Sequence, residues 1–409
     1  MIIRCLCLLA VGLIAPAAKA ESPVRPGDRI AFVGNTFADQ LRIHSYLETL
    51  LLQRSIDKPV SIRNLGWAGD MLTARDRPTN FPTEESTLVA HKTDVIVACF
   101  GMGESFAGNA GLDDFKKDLA DFIATHKGRK YNGRSEVRLI LISPIAYEEL
   151  GHQTPNHERR NGELAAYTRA VKETAGNAGL AFVDLNGPTA RLMADSVAPK
   201  LTGNGVNLNA YGYWCVSRTL ADALLPGKSP WRLDVNAKTG EADAKGVRIE
   251  DVRSGGGGVS FTVKELSWPS VGAPTRENVH RELESMRDTL RVAGLKPGAY
   301  RLEVDGVEAA VAGHDEWAFG VPLETTPTHR ALRDYREAVN DKNLQFVYSW
   351  KALNQVHIVG ERRKSPSGRA LPEEVIEFNR LANKKDAALA GGIQLKTREW
   401  RLTPIKQIP

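Results

Sequence analysis

Cysteine is scarce in this chain, with four in 409 residues, and two of them, Cys5 and Cys7, lie in a leader-like N-terminus. The remaining pair, Cys99 in an apolar strand pattern and Cys215 in a helical one, reads as two buried free thiols rather than a disulfide framework. Charge of one sign is also missing. The formal net charge of +5 falls to +3 once Arg4 and Lys19 leave with the leader, too weak and too dispersed for nucleic-acid binding. Beyond the leader no apolar run is long enough to span a membrane. No fixed-period repeat is present, which removes solenoids and propellers. The gap between His152 and His157 lacks the paired cysteines or carboxylates of a zinc site. Gly255–Gly258 lacks the Lys-Ser/Thr that follows a phosphate loop and reads as a hairpin turn. Neither a cofactor nor a metal is expected.

What is present begins with Arg4, an apolar run from Cys5 to Ile14, and Ala18-Lys19-Ala20, the pattern of a secretory signal over residues 1–20. The mature chain is expected from about Glu21, exported to the periplasm or secreted. Neither early cysteine sits at the end of the apolar run, which argues against a lipid anchor.

From Arg29 to about Leu225 strand and helix patterns alternate. Short apolar runs at Ile30–Val33, Val60–Arg63, Val95–Phe100, Val137–Ile142 and Ala181–Leu185 are of the kind buried on both faces of a parallel sheet. Between them fall helical spacings: Leu47, Leu50 and Leu51; Leu112 to Ile123; Leu164 to Val171. A last helix follows Asn209. The pattern predicts a three-layer, doubly wound α/β domain over residues 21–228. After Pro230 the period changes to two, with turn signals at Gly255–Gly258 and Asp305-Gly306, and a small β-sandwich is expected over 229–322. Residues 323–409 are expected to form a helical segment, interrupted at Ser365-Pro366-Ser367-Gly368.

Four short blocks stand where such a fold carries chemistry. Gly34-Asn35-Thr36, Asn64-Leu65-Gly66-Trp67-Ala68-Gly69-Asp70 and Phe100-Gly101-Met102-Gly103-Glu104 follow the first three strands, the carboxyl edge at which open parallel sheets bind ligands. Asn204-Gly205-Val206-Asn207-Leu208 precedes the last helix. In order and context these blocks resemble those of the SGNH or GDSL hydrolase superfamily, over about 200 residues. Further stretches, Ser143-Pro144-Ile145-Ala146 and Lys342-Asn343-x-x-Phe346-x-x-x-Trp350-x-x-x-Asn354, resemble a bacterial subgroup with an extended C-terminal region. The resemblance implies a serine nucleophile where Thr36 stands and an oxyanion-hole glycine at Gly69. It implies an oxyanion-hole asparagine where Gly103 stands, and Asp-x-x-His where Asn204 and Asn207 stand.

Only Gly69 matches in full. A threonine hydroxyl can attack once a base takes its proton, but an asparagine at 207 does not titrate near neutrality. Loss of such a base costs several powers of ten in rate, and one missing oxyanion donor roughly 100- to 1,000-fold. Three functions follow. The first is a degenerate cleft that binds a carbohydrate or an acylated small molecule. The second is an active ester hydrolase of the carbohydrate-deacetylase type, using Thr36 with His152 or His157 as replacement base. The third is a structural or interaction module. Glu104 either faces the cleft or opens the next helix, and Phe346, Tyr348 and Trp350 form either a sugar-stacking platform or a helix-packing face.

Overall fold

The computed structural model describes residues 22–75, 77, 82–228, 230–275, 279–351 and 366–405; the leader and Asn354 lie outside them. The five apolar runs become β1 (Arg29–Gly34), β2 (Ser61–Asn64), β3 (Val95–Cys99), β4 (Arg138–Ile142) and β5 (Ala181–Val183). They form one sheet in the order β2-β1-β3-β4-β5, with every pair parallel. Around it lie α1 (Thr36–His44), α2 (Tyr46–Arg54), α3 (Glu84–His91), α4 (Leu112–His126), α5 (His157–Ala178), α6 (Asn186–Met193) and α7 (Ala210–Leu224).

Alternate residues of the central strands feed two different cores, as the two-residue period requires. Ile30, Phe32, Val95 and Val97 pack with Leu47 and Leu51 of α2 and Trp214 of α7. Ala31, Val33, Ile96 and Ala98 pack with Phe115 and Leu119 of α4 and Tyr167 of α5. Helices thus cover both faces, and the chain adopts the three-layer doubly wound α/β fold. Its strand order reverses between β1 and β3, so a crevice opens beyond their carboxyl ends. Cys99 and Cys215 are both free and buried, and burial pushes the Cys215 thiol up to about 12.

The second half is built from β6 (Arg232–Asn236), β7 (Ala242–Lys245), β8 (Val247–Gly255), β9 (Gly258–Glu265), α8 (Arg281–Glu284), β10 (Thr289–Ala293), β11 (Ala299–Val304), β12 (Val307–Gly313), α9 (His314–Phe319) and β13 (Val321–Pro322). The Gly255–Gly258 run turns β8 into β9, and Asp305-Gly306, both at positive φ, turns β11 into β12. Two helices follow, α10 (Pro327–Trp350) and α11 (Pro366–Leu389), the second beginning at the expected interruption.

The expectation of a wholly helical segment over 323–409 needs correction. Thr397–Pro404 is a strand, β14, inserted between β9 and β11 in the sheet β12-β11-β14-β9-β8. Its Trp400 and Leu402 alternate inward and join Phe261, Leu302 and Leu290 in the core shared with the sheet β13-β10-β6-β7. The period-two signal spans only a few residues there, and the partner strands β11 and β9 are far away in sequence, Tyr300 pairing with Pro404 and Val259 with Leu402.

The α10–α11 pair covers the outer edge of β2. Lys342 Nζ donates to the Ile62 carbonyl (3.0 Å) and pairs with Glu48 of α2 (2.5 Å). Arg63 of β2 reaches Asn383 (2.6 Å) and Asp386 (3.2 Å) on α11. Phe346 and Trp350 are buried against the α/β domain, while Tyr348 packs on Phe378 of α11 with ring centroids 5.0 Å apart. The aromatic cluster is a packing face, and it closes a sheet edge that would otherwise present unpaired backbone.

Candidate functional site

The site is assembled from loops at the switch point between β1 and β3. β1 ends in Gly34 at φ 142°, where a Cβ would lie 2.2 Å from the Cys99 carbonyl oxygen; only glycine lets the two strand ends approach this closely. Asn35 caps α1, its Oδ1 accepting from the Phe37 N–H at 3.1 Å. Thr36 is therefore the first residue of α1, half-buried and facing the second loop.

That loop is tied to α1 by Asn64, which donates to the Ala38 carbonyl (2.6 Å) and accepts from the Gly66 N–H (2.9 Å). The tie brings Gly69, exposed and at φ 84°, over the helix start. The Gly69 N–H donates to Thr36 Oγ1 at 3.2 Å. Thr36 and Gly69 are thus brought together. Among the described residues this is the one hydrogen bond that Thr36 Oγ1 makes; neither a histidine nor a carboxylate bonds to it.

The third loop contributes no donor. A Cβ at Gly103 would lie 2.9 Å from Met71 Cγ and 3.2 Å from its sulfur, so a thioether occupies the room an amide would need. Glu104 does not face the cleft as a base. Its two carboxylate oxygens accept from the Leu72 N–H (2.9 Å) and the Gly101 N–H (2.8 Å), stitching the second loop to the third. Burial nevertheless holds its pKa above the usual carboxylate range, against those same hydrogen bonds.

In the fourth block Asn204 folds back on its own chain, its Oδ1 accepting from the Val206 N–H (3.1 Å) and the Asn207 N–H (2.8 Å). Both asparagine side chains are exposed, and that of Asn207 makes no hydrogen bond among the described residues. The loop is held from beneath by Glu148, a buried residue with no part in the sequence expectation. Its Oε1 accepts from the Leu201 N–H (3.0 Å) and its Oε2 from the Thr202 N–H (2.7 Å) and hydroxyl (2.6 Å). Sequence shows a carboxylate after Tyr147 but not that its acceptors point at backbone 53 and 54 residues away. His152 lies exposed in a short 3₁₀ turn, and His157 is the half-buried first residue of α5. The structure joins neither ring to Thr36.

A second unexpected contributor comes from α10. Lys351, just past its end, bonds Asp39 Oδ1 of α1 (2.6 Å) and lies 5.0 Å from the Trp67 ring centroid. Burial lowers the Lys351 pKa, with Asp39 opposing. Arg77 sits 4.6 Å from the same ring and pairs with Asp70. The Trp67 side chain of the second block is thereby held by cations of two other segments. Among the described residues no group of three or more His, Cys, Asp or Glu is placed to hold a metal ion, and no helix is long and apolar enough to cross a membrane.

The fold is that of a doubly wound α/β protein with the loops' residues gathered at its switch point, joined to a two-sheet β-region and a helical pair. Among solved structures the chain is similar to BT4096, a gut microbial diltiazem-metabolizing enzyme, over 95% of this chain and 100% of that one, with a TM-score of 0.69 and 16% identity. The whole architecture is therefore shared with that enzyme. Axe2, an acetylxylan esterase from Geobacillus stearothermophilus, matches 48% of this chain and 94% of its own at a TM-score of 0.38 and 19% identity. No family model and no curated protein matches the chain.

Proposed function

We propose that this chain is an exported, SGNH-like protein whose cleft binds a carbohydrate or an acyl ester without hydrolysing it. One observation carries the reading: Thr36 Oγ1 accepts from Gly69 N–H, and no histidine or carboxylate among the described residues bonds to it. A hydroxyl becomes a nucleophile by giving its proton to a base. Here its oxygen is engaged by a donor, and its proton is left to be offered to an acceptor oxygen of a ligand. Met71 in the room of the third oxyanion donor, and an exposed, neutral Asn207, support the same reading. Without a base and with one donor fewer, hydrolysis loses the terms that carry most of the rate.

The test uses the purified full chain. p-Nitrophenyl acetate hydrolysis is expected to stay at the buffer rate, while acetylated mono- and oligosaccharides raise the melting temperature, a shift lost in Thr36→Ala. Turnover above buffer that disappears in Thr36→Ala would overturn the proposal in favour of an active esterase.

A further inference from the structure

A cavity lies away from Thr36. About 400 Å³ in volume, it opens where Val271–Thr275, the start of α2 and the first half of α10 meet, within the size range of small-molecule sites. Val271, Ala273 and Leu332 give it an apolar wall, and Arg333 and Arg336, one turn apart on α10, line it together with Tyr46 and Glu324.

The charges there are unequally committed. Glu324 is paired with Arg287 through one oxygen: its Oε1 accepts from Arg287 Nε (2.8 Å) and the Ala273 N–H (3.3 Å). His329 is held between Asp288 (3.1 Å) and the Thr326 hydroxyl (2.7 Å). Arg336 spends one N–H on the His44 carbonyl (2.9 Å) and stacks its guanidinium 4.4 Å from the Tyr46 ring centroid, which fixes its plane. It makes no ion pair among the described residues. Arg333 has neither an ion pair nor a hydrogen bond among them. Among the described residues neither guanidinium forms an ion pair, although Glu324 lines the same cavity, and a guanidinium presents five donors in a fork that matches an oxyanion.

We infer that this cavity binds a small organic anion, its carboxylate or phosphate held by Arg333 and Arg336 and its apolar body lying on Val271, Ala273 and Leu332. Arg336, already oriented by Tyr46, supplies the fixed half of the fork. Arg333 supplies the half that orders on binding.

Calorimetric titration of the full chain with benzoate, phenyl phosphate, inorganic phosphate and uncharged benzamide tests the inference. Saturable binding of benzoate or phenyl phosphate is expected, weakening as salt rises, with benzamide silent. The tighter of the two organic anions tells a carboxylate ligand from a phosphate ester. Arg333→Gln, a change at an exposed side chain with no partner to lose, should weaken binding by about 10- to 100-fold. Arg333→Lys, which keeps charge but loses the fork, should recover part of it. The inference is overturned if no organic anion saturates the protein, if Arg333→Gln binds like the parent, or if inorganic phosphate binds as tightly as phenyl phosphate, since the apolar wall would then contribute nothing.

Discussion

At the cleft, two glutamates are bonded to backbone: Glu104 holds the N–H groups of Leu72 and Gly101, and Glu148 those of Leu201 and Thr202. At the seat of the α10–α11 pair, carboxylates are bonded to cations: Glu48 to Lys342 and Asp386 to Arg63. The two cleft glutamates thus shape loops, and the acids at the seat fasten helices. Among the described residues, in neither region does a carboxylate or histidine bond to the Thr36 hydroxyl. The groups that hold the outline of the crevice are therefore distinct from Thr36, the hydroxyl that faces its second loop.

The largest effect should come from the seat. Lys342→Met strands Glu48, whose pKa burial already raises, and is expected to lower unfolding free energy by about 3–5 kcal/mol. The double variant Lys342→Met/Glu48→Leu should recover most of that in urea denaturation. No recovery would mean that the pair is not what fastens α10.

Glu148→Ala comes next. It removes the acceptors of two buried N–H groups and the Thr202 hydroxyl, at about 1–3 kcal/mol for each donor left unsatisfied. Faster hydrogen exchange across 201–208 would report the loosened fourth loop; unchanged exchange would refute the clamp.

A gain-of-function variant sharpens the comparison from the other side. Gly103→Asn, Asn204→Asp and Asn207→His, with Met71→Ala to clear the amide's space, should raise acetyl-ester hydrolysis by at least about 100-fold over the parent. A folded but inert variant would show that Thr36 itself blocks attack or that the fourth loop does not reach it.

Acid should attack the seat selectively. His91 is fully buried, bonded to the Ser61 hydroxyl (3.1 Å), and its pKa lies well below 6.5 through burial first and then Arg63, Arg29 and Lys342. A depressed histidine takes up its proton on unfolding, so its contribution is present above pH 6.5 and lost as pH falls from there toward the folded-state value. The slope should approach about 1.4 kcal/mol per pH unit in that window and shrink in His91→Gln. The smallest change is expected at Thr36→Ala, below about 1 kcal/mol, because it deletes one partly exposed hydrogen bond.

The α/β half was legible because its information is local. Val95–Phe100 reads as a buried strand and the stretch after Asn209 as a helix, each from neighbours a few residues away. The β-region and C-terminal segment were legible in part. β14 was missed since a strand of alternating residues needs partners to be recognised, and its partners are β9 and β11.

Sequence alone determined the parallel α/β scaffold, the side chains carried at its strand ends and the absence of a titrating group at 207, since periodicity and side-chain chemistry are properties of the chain. Tertiary structure decided what those side chains do. That Thr36 accepts from Gly69, that Met71 fills the room beside Gly103, and that Glu104 and Glu148 serve backbone rather than ligand all depend on directions and distances across loops. A hydrogen bond is set by geometry between groups far apart in sequence, and only the packed fold fixes that geometry.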